Sequence, residues 1–273
     1  MNKGLLQLIK TVLSGIKIGK RVSDKIAIFR ILTRHVLVNR GLAKFSGRLH
    51  EPIHCIFKDF PFTLYLRDNG TDAIIFYDIF INECYKTEGL STTKVIYDLV
   101  TNIGIASLYF ASVFPEAKIY GFEPMPENYK IAKMNYSSIN DSQVYETAVG
   151  DEDKEAFLLI DEYRSGSHQV CDESRNEYAF RIPIKISRLD TLIKKYKIPP
   201  PDFLKIDTEG AEYSILKGLG EFRKYVKFVC IETHSLDLHN SCKEWIKENH
   251  LKILKEKPFT SEHLGYLCAL KND

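Results

Sequence analysis

The sequence has no uninterrupted apolar run approaching the roughly 18 residues that a membrane-spanning helix requires. It has no C-x-x-C pair either. Its six cysteines (Cys55, Cys84, Cys171, Cys230, Cys242 and Cys268) are scattered, and none stands at zinc-ligand spacing. A zinc-bound scaffold is therefore excluded, and reduced thiols in an intracellular protein are expected. The first residues are not expected to act as a secretory signal, because Lys10 and Lys17 interrupt the first apolar stretch and no small-residue cleavage site follows. Internal repeats, low-complexity tracts and a G-x-G-x-x-G phosphate cradle are also absent.

What remains is an ordinary globular balance over 273 residues, 44% hydrophobic and 27% charged. That length suits one sizeable α/β domain with an extension, or two small domains. The net charge of +2 conceals an asymmetry: residues 1–50 hold eleven Lys or Arg and one acid, Asp24, so this stretch carries +10 and the rest −8. From Met1 to about Ile18, Leu5, Leu6, Ile9, Val12, Leu13 and Ile16 fall at helical spacing, with Lys3, Lys10 and Lys17 on the opposite face. Such a helix either docks on an anionic membrane surface or a partner, or covers the body with its lysines in solvent. The expected division is a basic amphipathic helical extension at 1–50 and a catalytic domain at 51–273.

Residues 23–50 read as a second helical stretch and 52–68 as a short hairpin with Pro61 near its turn. Ile74–Cys84 follows as an apolar-periodic run with Asp72 as its N-cap. From Lys94 the pattern becomes strand–helix alternation. Strands are expected at Lys94–Val100, Lys118–Phe122, Gln143–Val149, Asp202–Ile206 and Lys227–Ile231. Helices are expected at Ile105–Phe114, Glu127–Ser138, Arg188–Tyr196 and Glu212–Phe222. Extra strands are expected at 155–160 and 180–186 around a polar loop, 161–176. The last part reads as a helix at Lys243–Asn249 and strands at Leu251–Glu256 and Tyr266–Leu270, one of them antiparallel. The fold class is thus a doubly wound, mainly parallel α/β sheet.

Ligands of open α/β sheets bind beyond the carboxyl ends of the strands. The first strand here ends in Asp98-Leu99-Val100-Thr101-Asn102-Ile103-Gly104, and Gly104 permits a tight turn into a helix. The second ends in Gly121-Phe122-Glu123-Pro124. A carboxylate at Glu123 suits two neighbouring ribose hydroxyls. A single loop glycine argues against a dinucleotide, and with it against a nucleotide-sugar dehydrogenase. Asp98 suits a cationic group such as the amino group of a methionine moiety.

The stretch Val95–Asn135, the stretch Ser187–Gly218 with its core FLKIDTEGAEYSILKG, and Ile231-Glu232-Thr233-His234 together resemble the FkbM-type methyltransferases. The resemblance covers about residues 65–270, beginning at Leu66-Arg67-Asp68-Asn69-Gly70-Thr71-Asp72, and leaves out the basic arm. It implies a class I, Rossmann-like methyltransferase fold with a seven-stranded sheet and S-adenosylmethionine as cofactor. It places Asp98, Asn102 and Gly104 around the methionine part, Glu123 with Pro124 at the ribose, and Ala148-Val149-Gly150-Asp151 near the adenine. One departure matters: family members usually carry glycine where this chain has Val100. A β-branched side chain resists positive φ, so the loop is expected either to shift or to bind cofactor less tightly.

Methyl transfer to a hydroxyl needs alignment and a proton acceptor or a metal ion. Candidates come from the ends of the fourth and fifth strands. His234 is first choice for base, because it titrates nearest neutrality. Asp207, which also borders the cofactor, is second, and Glu232 is third. Mg²⁺ held by this carboxylate–histidine group is the less favoured arrangement, since no dedicated ligand spacing appears, and no metal ligand is assigned. Asp207 and Glu209 could equally cap the following helix, Glu212 is expected to face solvent or a lysine, and His234 could simply end a strand. Glu209 and His168 are the substrate-side candidates, with Tyr163 and Tyr178 nearby.

The family resemblance implies O-methylation of a sugar hydroxyl on a glycan, glycolipid or glycosylated small molecule. Nucleic acid is not an expected partner: the DNA-amine signature is missing after the fourth strand, and no aromatic–basic platform accompanies the arm. The protein is expected in the cytoplasm, with peripheral membrane contact through residues 1–20. The competing reading is a non-catalytic binding or scaffold protein, marked by Val100. Nothing in the sequence speaks to oligomeric state.

Overall fold

The computed structural model describes residues 16–39, 52–58, 60, 62–68, 70–86, 93–159, 169–171 and 181–271. The expected first helix lies outside the described residues up to residue 15, as do Pro61, Tyr163, His168 and Tyr178.

Helix α1 (Val22–Asn39) leads to a hairpin, β1 (Ile53–Ile56) and β2 (Thr63–Leu66), and then to helix α2 (Gly70–Phe80). Ile28, Ile31 and Leu32 of α1 are fully or almost fully buried, in one core with Leu64, Leu66 and Phe76. Part of the 1–50 segment is therefore packed into the same body as the residues after 51. Phe57, Phe76 and Phe80 stack between hairpin and helix, with ring centroids 5.4–5.6 Å apart.

The alternating part follows as β3 (Val95–Leu99), α3 (Ile105–Val113), β4 (Lys118–Phe122), α4 (Pro126–Tyr136) and β5 (Gln143–Tyr145). A side unit comes next, with strands β6 (Ala148–Gly150), β7 (Lys154–Leu159), β8 (Gln169–Cys171) and β9 (Arg181–Arg188). The chain then returns through α5 (Leu189–Tyr196), β10 (Phe203–Ile206), α6 (Glu212–Gly218), β11 (Phe228–Thr233), α7 (Leu236–Glu248), β12 (Leu251–Lys257) and β13 (Gly265–Lys271). A 3₁₀ turn, Gly220–Tyr225, separates α6 from β11.

The main sheet has seven strands in the order β12-β13-β11-β10-β3-β4-β5. Only β13 runs antiparallel to its neighbours. This is the architecture expected of a class I methyltransferase. Period-two alternation divides the core between the two faces of the sheet. Ile96, Phe203 and Phe228 join the side with α1 to α3. Tyr97, Leu99, Leu204, Ile206, Val229 and Ile231 join the side with α5, α6 and α7.

Four expectations are corrected. The strand read at Gln143–Val149 is two strands: β5 ends the main sheet, and β6 pairs with β9 in a four-stranded sheet. The helix read at Glu212–Phe222 stops at Gly218, because Gly220 takes φ +52 and turns the chain. The helix read from Lys243 begins at Leu236, where the Ser235 hydroxyl accepts from Leu238 N at 3.1 Å as an N-cap.

Asp72, the fourth, is not an N-cap. Helix α2 starts before it, and its carboxylate grips Arg67 by two bonds, from Nε at 2.9 Å and Nη2 at 2.8 Å, and accepts from Arg67 N at 2.8 Å. Arg67 Nη1 also donates to Asn128 on α4 at 2.9 Å, so one guanidinium ties β2, α2 and α4 together. Both charges are buried. Removing one partner of such a pair costs about 3–5 kcal/mol. Arg67→Met is therefore expected to lose that much in urea unfolding, with Arg67→Met/Asp72→Leu recovering a large part of it. A loss for the single variant below about 1 kcal/mol would show that the bidentate pair contributes little.

Candidate functional site

The site begins at the centre of the sheet. Asp98 on β3 and Lys205 on β10 are register partners, so both side chains leave the sheet on the same face. Lys205 Nζ lies 3.1 Å from Asp98 Oδ1. Ser107 of α3 donates to Asp98 Oδ2 at 2.5 Å, and its oxygen also lies 2.6 Å from the Tyr136 hydroxyl. Burial works against the lysine's charge, but Asp98, Asp207 and Glu232 outweigh it and hold its pKa above the ordinary value. Gly121 on β4 is the other register partner of Asp98. A Cβ there would run into the Tyr136 hydroxyl and Thr101 Oγ1, so the close packing requires glycine.

Above this pair sits the loop. Val100, Asn102 and Gly104 take φ of +58°, +53° and +84°. The valine keeps the left-handed conformation that glycine would adopt without cost. Strain of about 1–2 kcal/mol is expected for a side chain there. Lys205 Nζ donates to the Val100 carbonyl at 3.2 Å and anchors that turn. Asn135, fully buried, donates to Ile103 O at 2.6 Å and exchanges two bonds with Tyr65 of β2, fastening the loop to the hairpin.

Glu123 accepts from Asn102 N at 2.7 Å and from Met125 N at 2.9 Å. Burial raises its pKa to about 7 against the lowering effect of those bonds. Asn102 Oδ1 is buried and finds no hydrogen-bond partner among the described residues, which fits a position reserved for a donor on a ligand.

A cavity opens beside this loop. The loop's Val100–Ile103 and the first residues of α3 form one wall, Thr71, Ile75 and Ile79 of α2 with Tyr85 form a second, and Lys205, Asp207, Glu209 and Glu232 form the third. It thus collects Asn102, Asp207, Glu209 and Glu232 from the expected site. Asp98 is instead fully buried beneath the loop, where its carboxylate meets Lys205 and Ser107. Gly104 heads α3, Glu123 and Pro124 lie behind the loop, and buried Ala148 belongs to β6 in the side sheet. His168 lies outside the described residues. The α2 wall, Tyr85 and Lys205 escaped the sequence reading. The lone charge inside the apolar strand FLKI was the available signal for Lys205.

The third wall is an acid–imidazole cluster. Glu212, expected at the surface, is fully buried. Its Oε1 lies 2.7 Å from His234 Nδ1 and accepts from Gly210 N at 2.9 Å. The N-cap position of α6 falls on Ala211, not on Asp207 or Glu209. His234 Nε2 points among Glu209 Oε2 at 3.5 Å, Asp207 Oδ1 at 3.9 Å and Glu232 Oε1 at 4.0 Å. Burial lowers the imidazole pKa, but the bond to Glu212 and the charges of Glu212, Glu209 and Asp207 carry it up to about 9. Burial and Asp207 push Glu232 up to about 7. Glu209 also takes a left-handed φ, +49°. Three of the seven non-glycine residues with positive φ among the described residues, Val100, Asn102 and Glu209, therefore line this cavity.

The methyltransferase FkbM domain model matches residues 98–268. Methyltransferase sdnD of Sordaria araneosa is 28% identical over 191 residues, covering 58% of this chain and 73% of that protein. Hexuronic acid methyltransferase AglP of Haloferax volcanii is 25% identical over 146 residues, covering 52% and 56% respectively. The 2-O-methyltransferase NoeI of Sinorhizobium fredii is 22% identical over 158 residues, covering 53% and 65%.

The strain at residue 100 is open to measurement. Val100→Gly and Val100→Ala both remove the half-buried branches, but only glycine is at ease at φ +58°. Val100→Gly is expected to be more stable than Val100→Ala by about 1 kcal/mol in urea unfolding. Equal stability would mean that the loop does not hold the left-handed turn.

Proposed function

The chain belongs to the FkbM methyltransferase family, and from that premise we propose that it moves the methyl group of S-adenosylmethionine onto a sugar hydroxyl. One observation carries the reading: the left-handed loop after β3 and the carboxylates ending β10 and β11 face a single cavity. The cofactor supplies a methyl group on a sulfonium, a good leaving group.

The protein's share is then position and proton management. Asn102 Oδ1 accepts from the methionine end of the cofactor, and Asp98 supports the loop from beneath through Lys205 and Ser107. Glu123 accepts from Asn102 N, Met125 N and the Asn128 side chain, and the acceptor capacity left on its two oxygens takes the ribose hydroxyls. Gly104, Pro124 and Ala148 border the same ligand. The carboxylates of Asp207 and Glu232 take the proton of the acceptor hydroxyl, which is too weak a nucleophile while it keeps it; His234, held at a pKa of about 9, is not the neutral base expected from its ordinary range and orients the two acids instead. Glu209 lines the cavity on the acceptor side, and His168, outside the described residues, is kept as a substrate candidate on its sequence position alone. The names of two relatives, a hexuronic acid methyltransferase and a 2-O-methyltransferase, favour a sugar.

No helix among the described residues is long and apolar enough to cross a membrane. We place residues 1–20 at a membrane surface carrying a glycolipid acceptor. Val100 supports a second reading, a binding or scaffold protein without turnover, because a strained valine occupies the cofactor loop.

Calorimetry with S-adenosylmethionine separates the two readings. Binding is expected, weakened about tenfold or more in Glu123→Gln, roughly the loss of a charge-assisted hydrogen bond. Glu123 acts as a carboxylate, so affinity is full above its pKa of about 7 and falls as pH drops through it. The variant's profile is expected to be flat there. Absence of binding at millimolar cofactor favours the scaffold. Transfer is checked by mass shifts on glycan extracts, and the arm by liposome co-sedimentation: unchanged lipid binding after deletion of residues 1–20 removes its membrane role.

A further inference from the structure

The group at the ends of β10 and β11 has more negative charge and less hydrogen bonding than a proton-accepting pair requires. Asp207, Glu209, Glu212 and Glu232 surround one imidazole. The nearest cation besides it, Lys205, is committed to Asp98 and the Val100 carbonyl. Glu212 is itself held by Gly210 N, and a carboxylate can only accept, so His234 Nδ1 donates to it. That bond fixes the ring and leaves Nε2 facing Glu209, Asp207 and Glu232. Nε2 is buried, on a side chain only 11% exposed, and has no hydrogen-bond partner among the described residues.

Its separations from Asp207 and Glu232, 3.9 and 4.0 Å, are too long for hydrogen bonds. They match another arrangement. Two donors that each sit about 2.1 Å from a shared ion lie roughly 3–4 Å apart. Donor atoms of Asp207, Glu232 and His234 all fall within 4.8 Å of one another. A carboxylate on the far nitrogen of the imidazole is the usual orienting partner of a ligating histidine.

We propose that Asp207, Glu232 and His234 form a binding site for a divalent cation of the Mn²⁺ type, with Glu212 as the positioning residue. Two carboxylates and one imidazole give a mixed oxygen–nitrogen set, open on the cavity side, which suits Mn²⁺ better than the all-oxygen preference of Mg²⁺ or Ca²⁺. Asp207 and Glu232 line the cavity that takes the cofactor loop, so the cation faces the space where the acceptor enters. Its catalytic meaning rests on the methyltransferase reading: a Lewis acid there lowers the pKa of the acceptor hydroxyl. Cation binding itself does not depend on that reading.

The test is Mn²⁺ binding to the full chain, followed by electron paramagnetic resonance and calorimetry, with S-adenosylmethionine binding measured on the same samples. One Mn²⁺ per chain is expected. His234→Ala and Asp207→Asn are expected to weaken it at least tenfold and Glu212→Gln by about tenfold, the range typical of orienting partners. Asp153→Asn, in the turn between β6 and β7, leaves it unchanged. Far-UV circular dichroism and an unchanged urea unfolding midpoint establish that the variants are folded. Absence of bound Mn²⁺ at millimolar concentration, or binding indifferent to His234→Ala, overturns the site. Mn²⁺ binding without S-adenosylmethionine binding overturns the methyltransferase reading and leaves the cation site standing.

Discussion

A buried carboxylate beside a buried ammonium, Asp98 against Lys205, is the constraint around which this molecule is arranged. Each charge alone would be prohibitive in the middle of a sheet. They are tolerable because β3 and β10 are neighbours in one register, which sets the two side by side. A slip of one residue would turn one of them to the opposite face among Tyr97, Leu204 and Ile231. The pair therefore specifies strand alignment as well as surviving it. The lysine then reaches the Val100 carbonyl and the acid reaches Ser107, so the ligand loop and the helix after it inherit their positions from the sheet.

Charge in this region falls into two groups that meet at Lys205. Beneath the loop, Asp98 is neutralised and sealed. At the strand ends, several carboxylates face one imidazole and an opening. The backbone differs correspondingly: left-handed residues gather where the walls meet the opening, and the strands below are regular. Rigidity underneath and strain above is the arrangement expected of a surface that holds a ligand in a fixed orientation.

Much of this was legible in residue order. KIYGF becomes β4 with the bounds that its apolar run suggests, and Gly104 with Pro115 brackets α3. The acids at strand ends marked the right edge of the sheet. What was hidden depends on pairing in space. The run from Gln143 to Val149 reads as one strand because nothing local records that β9 takes over pairing after Tyr145. Glu212 looks like any first-turn acid until the end of β11 brings His234 to it. Asp72 resembles a cap because its partner, Arg67, sits in what reads as a hairpin end. Ser235 is different: a serine before an apolar-periodic run is a local capping signal, and a helix start read at Lys243 leaves it unused.

The place of β13 bears on how the chain reaches this state. Made last of the seven strands, it lies between β11 and β12. During synthesis the outer edge of β11 waits unpaired, and β12 emerges with no strand to join, until residues 265–271 leave the ribosome. Assembly of that half of the sheet is thus the docking of a late, local β12–β13 hairpin onto β11 rather than strand-by-strand addition, with the edge of β11 open meanwhile. A nascent or truncated form lacking this strand would present the edge to other chains, which makes the last strand a guard against self-association as well as a structural member.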